Sequence, residues 1–388
     1  MRDWFETLPD RRRFGAVKWD VKDNELPMWV ADMDFAAAPP VQRALEARVS
    51  HGVFGYSDIP RAWNDAYAAW WRRRHGLDMD PDGLIFTTGV IPAISTAVRK
   101  LTTPAEKCVV LTPVYNIFFN SVVNNGRVPL EVPLLYQNGR YDIDFPALEA
   151  ALSDPQVSLL IFCNPHNPVG RLWTKEELAR VGDLCKKHGV TVISDEIHCD
   201  ITVPGTSYVP FAAASDVCAS ISVTCVAPTK CFNLAGLQTA AVYVPDPFLR
   251  HKMWRGLNTD EVAEPNAFAV EAAVAAFNEG EEWLDEMNAY VAENRRFAEE
   301  YIKNNIPVLI PVRGEATYLL WADCSGVTAD SRDFCQRLRE KTGLFLSNGR
   351  QYGKTGEAFV RINLATSRKN VEDGMNRLAA FVNGIKPE

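Results

Sequence analysis

VSLLIFCNPHNPVG, residues 157–170, decides the fold. Its first half is apolar almost without interruption, and its second half holds two Asn-Pro pairs and a glycine. An apolar run that does not alternate reads as a strand covered on both faces. The Asn-Pro pairs and Gly170 then force a turn at the strand's carboxyl end. Open α/β sheets bind their ligands at that end. Asn167 stands in the turn and offers an amide to a ligand; a plain proline-rich connection is the structural alternative.

The pattern repeats on either side. LIFTTG (84–89), CVVLTP (108–113), RVPLEV (127–132), GVTVISDE (189–196), SISVTC (220–225) and TAAVYV (239–244) also read as strands. Helical stretches lie between them. TKEELARVGDLCKKHG (174–189) opens with Thr174 and Glu177 at capping-box spacing and ends at Gly189 after basic residues. This alternation predicts an α/β fold, a mostly parallel sheet of seven strands between helices. The last third changes character. A long amphipathic helix over about 281–303 precedes the shorter strands TYLLWAD (317–323), LFLS (344–347) and AFVRINL (358–364) and a closing helix over about 370–384. The expected division is an N-terminal segment 1–40 packed on the small domain, a large domain 41–285 and a smaller α+β domain 286–388.

Composition excludes several classes of function. The chain has 388 residues with 41 Lys and Arg against 49 Asp and Glu, a net charge of −8. An acidic surface of that kind argues against nucleic acid as a partner. The nine cysteines are scattered, form no C-x-x-C pair, and read as core fillers in a reducing compartment, with Cys231 a candidate for lining a pocket. No metal spacing is visible. No uncharged apolar run reaches the ~20 residues of a membrane span. The N-terminus lacks the apolar core of a signal peptide, so a cytoplasmic location is expected.

Five more segments carry possible chemistry. In VISDEIHCD (192–200) two acids end a strand that should be buried, and acids are seldom buried without a partner. Asp195 could hold a proton on a bound heterocycle or cap a helix, and His198 could face the same crevice. In APTKCFNLAGL (227–237) Lys230 sits among apolar neighbours, where chemistry such as a Schiff base can remove its charge. A solvated lysine is the plainer reading. FTTGVIPAI (86–94) reads as strand, glycine turn and helix start, so the amides of Gly89, Val90 and Ile91 could hold a phosphate. Tyr115 in TPVYNIFF (112–119) could stack on a planar ring or fill the core. Arg361 in FVRIN (359–363) interrupts an apolar strand and needs an anion, either a substrate carboxylate or an internal acid. HGVFGYS (51–57) reads as a loop presenting Tyr56, and WWRRRHG (70–76) as the solvated end of a helix.

In this order the motifs resemble the pyridoxal-phosphate enzymes of aminotransferase class I/II, fold type I. They are most similar to the C–S β-lyase branch of MalY/PatB type. ADMDFAAAP (31–39), HGVFGYS (51–57), NPHNPVGRLWTKEEL (164–178), VISDEIHCD, APTKCFNLAGL, ATYLLW (316–321) and FVRIN carry the likeness, which spans nearly the whole chain. The resemblance implies pyridoxal 5'-phosphate (PLP) as cofactor, bonded through its aldehyde to Lys230. It implies that Asp195 pairs with the pyridine nitrogen, Asn167 donates to the ring's phenolic oxygen and Tyr115 stacks on the ring. Gly89, Val90, Ile91 and Thr229 would hold the phosphate, and His198 would lie beside the cofactor. Arg361 would clamp the substrate carboxylate, with Asp32 on the substrate side. Family members are homodimers, so Tyr56 would reach the phosphate or Lys230 of a neighbouring subunit.

Two positions depart from the aminotransferase pattern. Ala227 stands where a phosphate-binding serine is common, and Gln238 where an arginine is common. These departures favour the lyase branch, and with it β-elimination of L-cystathionine to homocysteine, pyruvate and ammonia. The alternatives are an aminotransferase on the same scaffold and a regulatory protein that keeps the fold.

Overall fold

The computed structural model describes residues 4–385. Its central sheet has seven strands: β1 (Leu84–Thr87), β2 (Lys107–Thr112), β3 (Val128–Pro133), β4 (Val157–Cys163), β5 (Thr191–Asp195), β6 (Ser222–Val226) and β7 (Ala240–Tyr243). Their spatial order is β1-β7-β6-β5-β4-β2-β3. All pairs are parallel except those of β7, which runs against β1 and β6.

The uninterrupted apolar character of β4 has a direct cause. Leu160 and Phe162 join one apolar layer, with Leu178, Val181 and Cys185 of the helix Lys175–Lys187. Leu159, Ile161 and Cys163 join the opposite layer, with Ala93, Ile94 and Ala97 of the helix Val90–Leu101. Successive residues of a strand face opposite ways, so a sheet with helices on both sides needs apolar residues at every position.

The helix Lys175–Lys187 begins with the complete reciprocal cap read from the sequence. Thr174 Oγ1 accepts from the Glu177 amide, and Glu177 accepts from the Thr174 amide at 2.7 Å. Thr174→Ala is expected to cost about 1 kcal/mol of stability. Reversible urea unfolding measures it, and turnover should change little, because Thr174 does not line the cavity at the strand ends.

Beyond the long helix Glu281–Asn305 lies an antiparallel sheet of four short strands, β8 (Ile310–Pro311), β9 (Leu319–Asp323), β10 (Ser347–Asn348) and β11 (Phe359–Asn363). Its apolar face packs on the helices Glu281–Asn305, Ser331–Thr342 and Arg368–Val382. Leu26–Pro27 pairs in parallel with Leu344–Phe345 beside it. The basic run at the end of the helix Arg61–His75 is tied down by acids, Arg73 and Arg74 pairing with Glu281. No helix of the described residues is long and apolar enough to cross a membrane.

Candidate functional site

A cavity of about 360 Å³ opens where the carboxyl ends of β1, β2, β4, β5 and β6 converge, and β11 closes it from the other side. Gly89, Val90 and Ile91 follow β1, and Tyr115 follows β2. Asn167 follows β4, Asp195 ends β5, and His198 comes just after it. Thr229 and Lys230 follow β6. All of these line the cavity, as does Arg361 from the middle of β11.

The Asn-Pro turn places Asn167. The peptides Asn164–Pro165 and Asn167–Pro168 are both cis, and the turn closes through hydrogen bonds from the His166 amide to the Arg171 carbonyl and from the Gly170 amide to the His166 carbonyl. Gly170 has φ 72°, and a Cβ there would lie 2.9 Å from the Ala316 carbonyl oxygen. Only glycine fits both that backbone and that approach. Asn167 Oδ1 accepts from Arg361 Nη1 at 3.2 Å, which leaves the amide nitrogen as a donor.

The two acids at the end of β5 separate. Glu196 turns inward and is fully served by the Ser194 hydroxyl, the Tyr208 hydroxyl and the Phe211 amide. Asp195 faces the cavity, 4 % exposed, and its carboxylate accepts the Ile197 amide at 3.1 Å. The segment that follows is a turn, so this bond does not cap a helix. Among the described residues no cation forms an ion pair with Asp195. Burial pushes its carboxyl up to about 7, with Glu196 adding repulsion.

Lys230 donates to the Ala31 carbonyl. Burial lowers its ammonium to about 8, Asp32 and Asp195 favour the charged form, and Arg361 opposes it. The His198 ring is held neutral, down to about 3, chiefly by burial and further by Lys230 and Arg361; its Nδ1 has no partner. Arg361 is 4 % exposed and donates to Asn167 and, at 3.0 Å, to the Trp29 carbonyl. Its Nε is buried and unpartnered, and no acid among the described residues pairs with it. The internal salt bridge left open by the sequence is therefore absent among the described residues.

The helix Val90–Leu101 starts at the cavity rim. Gly89 caps it without a side-chain bond, and Pro92 supplies no amide, so the free donors of the first turn are concentrated at Gly89, Val90 and Ile91. Those donors and the positive end of the helix suit an anion.

Three residues singled out in the sequence stand elsewhere. The Asp32 carboxylate is held by both prongs of Arg11, at 2.7 and 3.0 Å, and does not line the cavity. Tyr56 is fully exposed and outside the cavity of this chain. Cys231 is not a lining residue, because its Sγ points into the core at Asp200. Trp29, Ser347, Gln351 and Tyr352 also line the cavity. Ser347 pairs with Arg361 in the sheet, and Tyr352 lies 4.8 Å under its guanidinium. Both follow once Arg361 is placed, but neither has a sequence signal of its own.

These residues fit PLP. The buried Asp195 carboxylate lacks a cation, as expected of a partner for a protonated ring nitrogen. Lys230 offers an amine of lowered pKa to an aldehyde, Asn167 a free amide donor to the ring hydroxyl, and the Gly89–Ile91 turn a seat for the phosphate.

Residues 30–378 match the family described as aminotransferase class I and II. The chain is 43 % identical over 383 residues to cystathionine beta-lyase PatB of Bacillus subtilis, covering 97 % of this chain and 99 % of that protein. It is 31 % identical to protein MalY of Escherichia coli, with 98 % of each covered. Among solved structures it is similar to cystalysin from Treponema denticola, which contains PLP (TM-score 0.96, 30 % identity, 100 % of each chain). It is also similar to a PLP-bound C–S lyase from Staphylococcus hominis (TM-score 0.91, 30 % identity, 97 % of each chain).

Proposed function

The chain belongs to the aminotransferase class I and II family, and from that premise we propose that it is a PLP-dependent carbon–sulfur lyase that cleaves L-cystathionine by β-elimination. One observation carries the reading. A buried acid without a cation, Asp195, and a buried cation without an acid, Arg361, face one cavity that also holds Lys230. When bound, the cofactor supplies an electron sink for the pair left when Cα loses its proton.

The chain's own residues do the rest. Lys230 provides the amine for the cofactor's aldehyde and serves as the base that takes the Cα proton, its pKa of about 8 lying close to working pH. Asp195 keeps a proton on the ring nitrogen, and a cation placed there draws its own pKa back below 7. Tyr115 would stack on the ring, Asn167 would donate to the phenolic oxygen, and Gly89, Val90, Ile91 and Thr229 would hold the phosphate. His198 would stand beside the cofactor as a neutral ring. Arg361 binds the substrate carboxylate and fixes the orientation of the Cα–H bond. Overall, L-cystathionine and water give homocysteine, pyruvate and ammonia as the Cβ–S bond breaks. Asp32 lies one residue beyond the Ala31 carbonyl that takes Lys230, with its carboxylate held by Arg11 outside the cavity. The exposed Tyr56 serves a neighbouring subunit's site in a homodimer, and the enzyme works in the cytoplasm.

Gln238 lines the cavity where aminotransferases often carry an arginine. It leaves the phosphate to neutral donors and supports lyase chemistry over amino-group transfer. The test is incubation of holoenzyme with L-cystathionine and no 2-oxo acid. Steady release of pyruvate and homocysteine is expected. Amino transfer to an added 2-oxo acid with no pyruvate from cystathionine would establish the aminotransferase instead.

Arg361→Ala removes a charge-assisted contact to the substrate. The expected loss is about 2 kcal/mol, or about 30-fold in kcat/KM, mostly as a raised KM. Steady-state kinetics check it; unchanged values with a carboxylated substrate would reject the clamp.

A further inference from the structure

Residues 29–33 form a strap, with Trp29, Val30 and Ala31 lining the cavity, in which every carbonyl is taken by a side chain. Arg361 and Ser347 donate to Trp29 O, and Asn363 donates to Val30 O and Asp32 O. Lys230 and Tyr318 donate to Ala31 O, and Arg11 and Asn233 to Met33 O. Two of these donors, Lys230 and Arg361, are the working groups of the site. The other end of the strap is gripped by the N-terminal segment. Arg11 pairs with Asp32 through two bonds of 2.7 and 3.0 Å and with Asp34 at 3.0 Å, and the fully buried Lys18 pairs with Asp34 at 2.8 Å.

This places an acid next to Lys230 and turns it away. Lys230 is bonded to the carbonyl of residue 31, and the Asp32 carboxylate follows on the next residue. An ammonium and a carboxylate so close would form an ion pair in a poorly solvated pocket, and a lysine in such a pair is no longer a base. Arg11 occupies both carboxylate oxygens. We propose that Arg11 is a positioning residue for Lys230: by holding Asp32 in a two-pronged pair it keeps that carboxylate off the lysine and leaves the amine docked on the neutral Ala31 carbonyl. The inference rests on the reading of Lys230 as the cofactor lysine.

The charged and titratable groups facing Lys230 are Asp32 from the strap, Asp195 and His198 from the end of β5, Arg361 from β11, and the buried Tyr318 beside β9. Of these, Asp32 is the largest charge favouring the protonated amine, ahead of Asp195. Releasing Asp32 from Arg11 therefore raises the lysine's pKa.

The experiment is a two-by-two cycle of Arg11→Gln and Asp32→Asn in the full chain. Cofactor is removed, each protein is pulsed with acetic anhydride across pH, and acetylation of the Lys230 peptide is read by mass spectrometry. Arg11→Gln in the native background is expected to move the midpoint up by about one pH unit, the lower end of what an opposite charge at contact produces. In the Asp32→Asn background the same change should move it little. Arg11→Lys, which keeps the charge, should restore most of the native midpoint, and the acid limb of kcat in holoenzyme, which reads the lysine freed in the substrate complex, should follow the same order. An equal shift in both backgrounds, or none in either, would overturn the proposal. Failure of the underlying reading is a separate result: Lys230 would carry no cofactor after borohydride reduction, whatever the midpoints.

Discussion

Lys230→Ala should abolish lyase turnover, to at least about 10⁴-fold below the parent enzyme, while leaving the fold in place. Two functions disappear together, the amine that bonds the cofactor and the base that takes the Cα proton. General-base catalysis alone is worth about 10²–10⁴-fold, and loss of the covalent attachment comes on top. The fold should survive because the lysine contributes little to packing. Its structural bond is one donation to the Ala31 carbonyl, which Tyr318 also serves at 3.0 Å. Burial already disfavours its charge, so removing it relieves desolvation. Pyruvate release and thermal unfolding of the same preparation separate the two effects. Turnover within tenfold of the parent would mean that another group is the base.

Asp195→Asn should lower kcat by about 10²–10³-fold and affect cofactor retention far less. The amide keeps the shape, because its oxygen can still accept the Ile197 amide. It cannot hold a positive charge on the ring nitrogen, and a preorganised charge at the place where charge develops is worth about 3–4 kcal/mol. On the proposed roles, retention would rest on Lys230, Asn167 and the amides of the helix start, which this change does not touch. The pH profile adds a second readout. The parent's acid limb is set by Lys230, and its midpoint should fall in the variant, because Asp195 is one of the charges that favour the protonated amine. Near-normal kcat would remove the proton-holding role from Asp195.

How much of this was legible depended on whether the signal was local. The capping box at Thr174 and the doubly buried strands were legible, since both are written in adjacent residues. Lys230, Asp195 and Asn167 were visible because each breaks a rule at a strand end: a charge in an apolar run, an acid ending a buried strand, a turn stiffer than a connection requires. The partition of Asp195 from Glu196 was not legible, because it depends on Tyr208 and Phe211 arriving from another segment. Cys231 is a candidate lining residue in the sequence, but the backbone after β6 turns its side chain to Asp200 in the core. The strap at residues 29–33 carries no periodicity, and its five carbonyls are satisfied by residues scattered from Arg11 to Asn363. Trp29 and Tyr352 carry no local signal for the same reason, being brought to the cavity only by tertiary packing.

Borohydride reduction of the PLP-loaded protein, followed by digestion and mapping of the pyridoxyl group, tests the central claim most directly. The account predicts a single modified peptide with the label on Lys230, and none in Lys230→Ala. A label on any other lysine, or a loaded protein that acquires none, would contradict it.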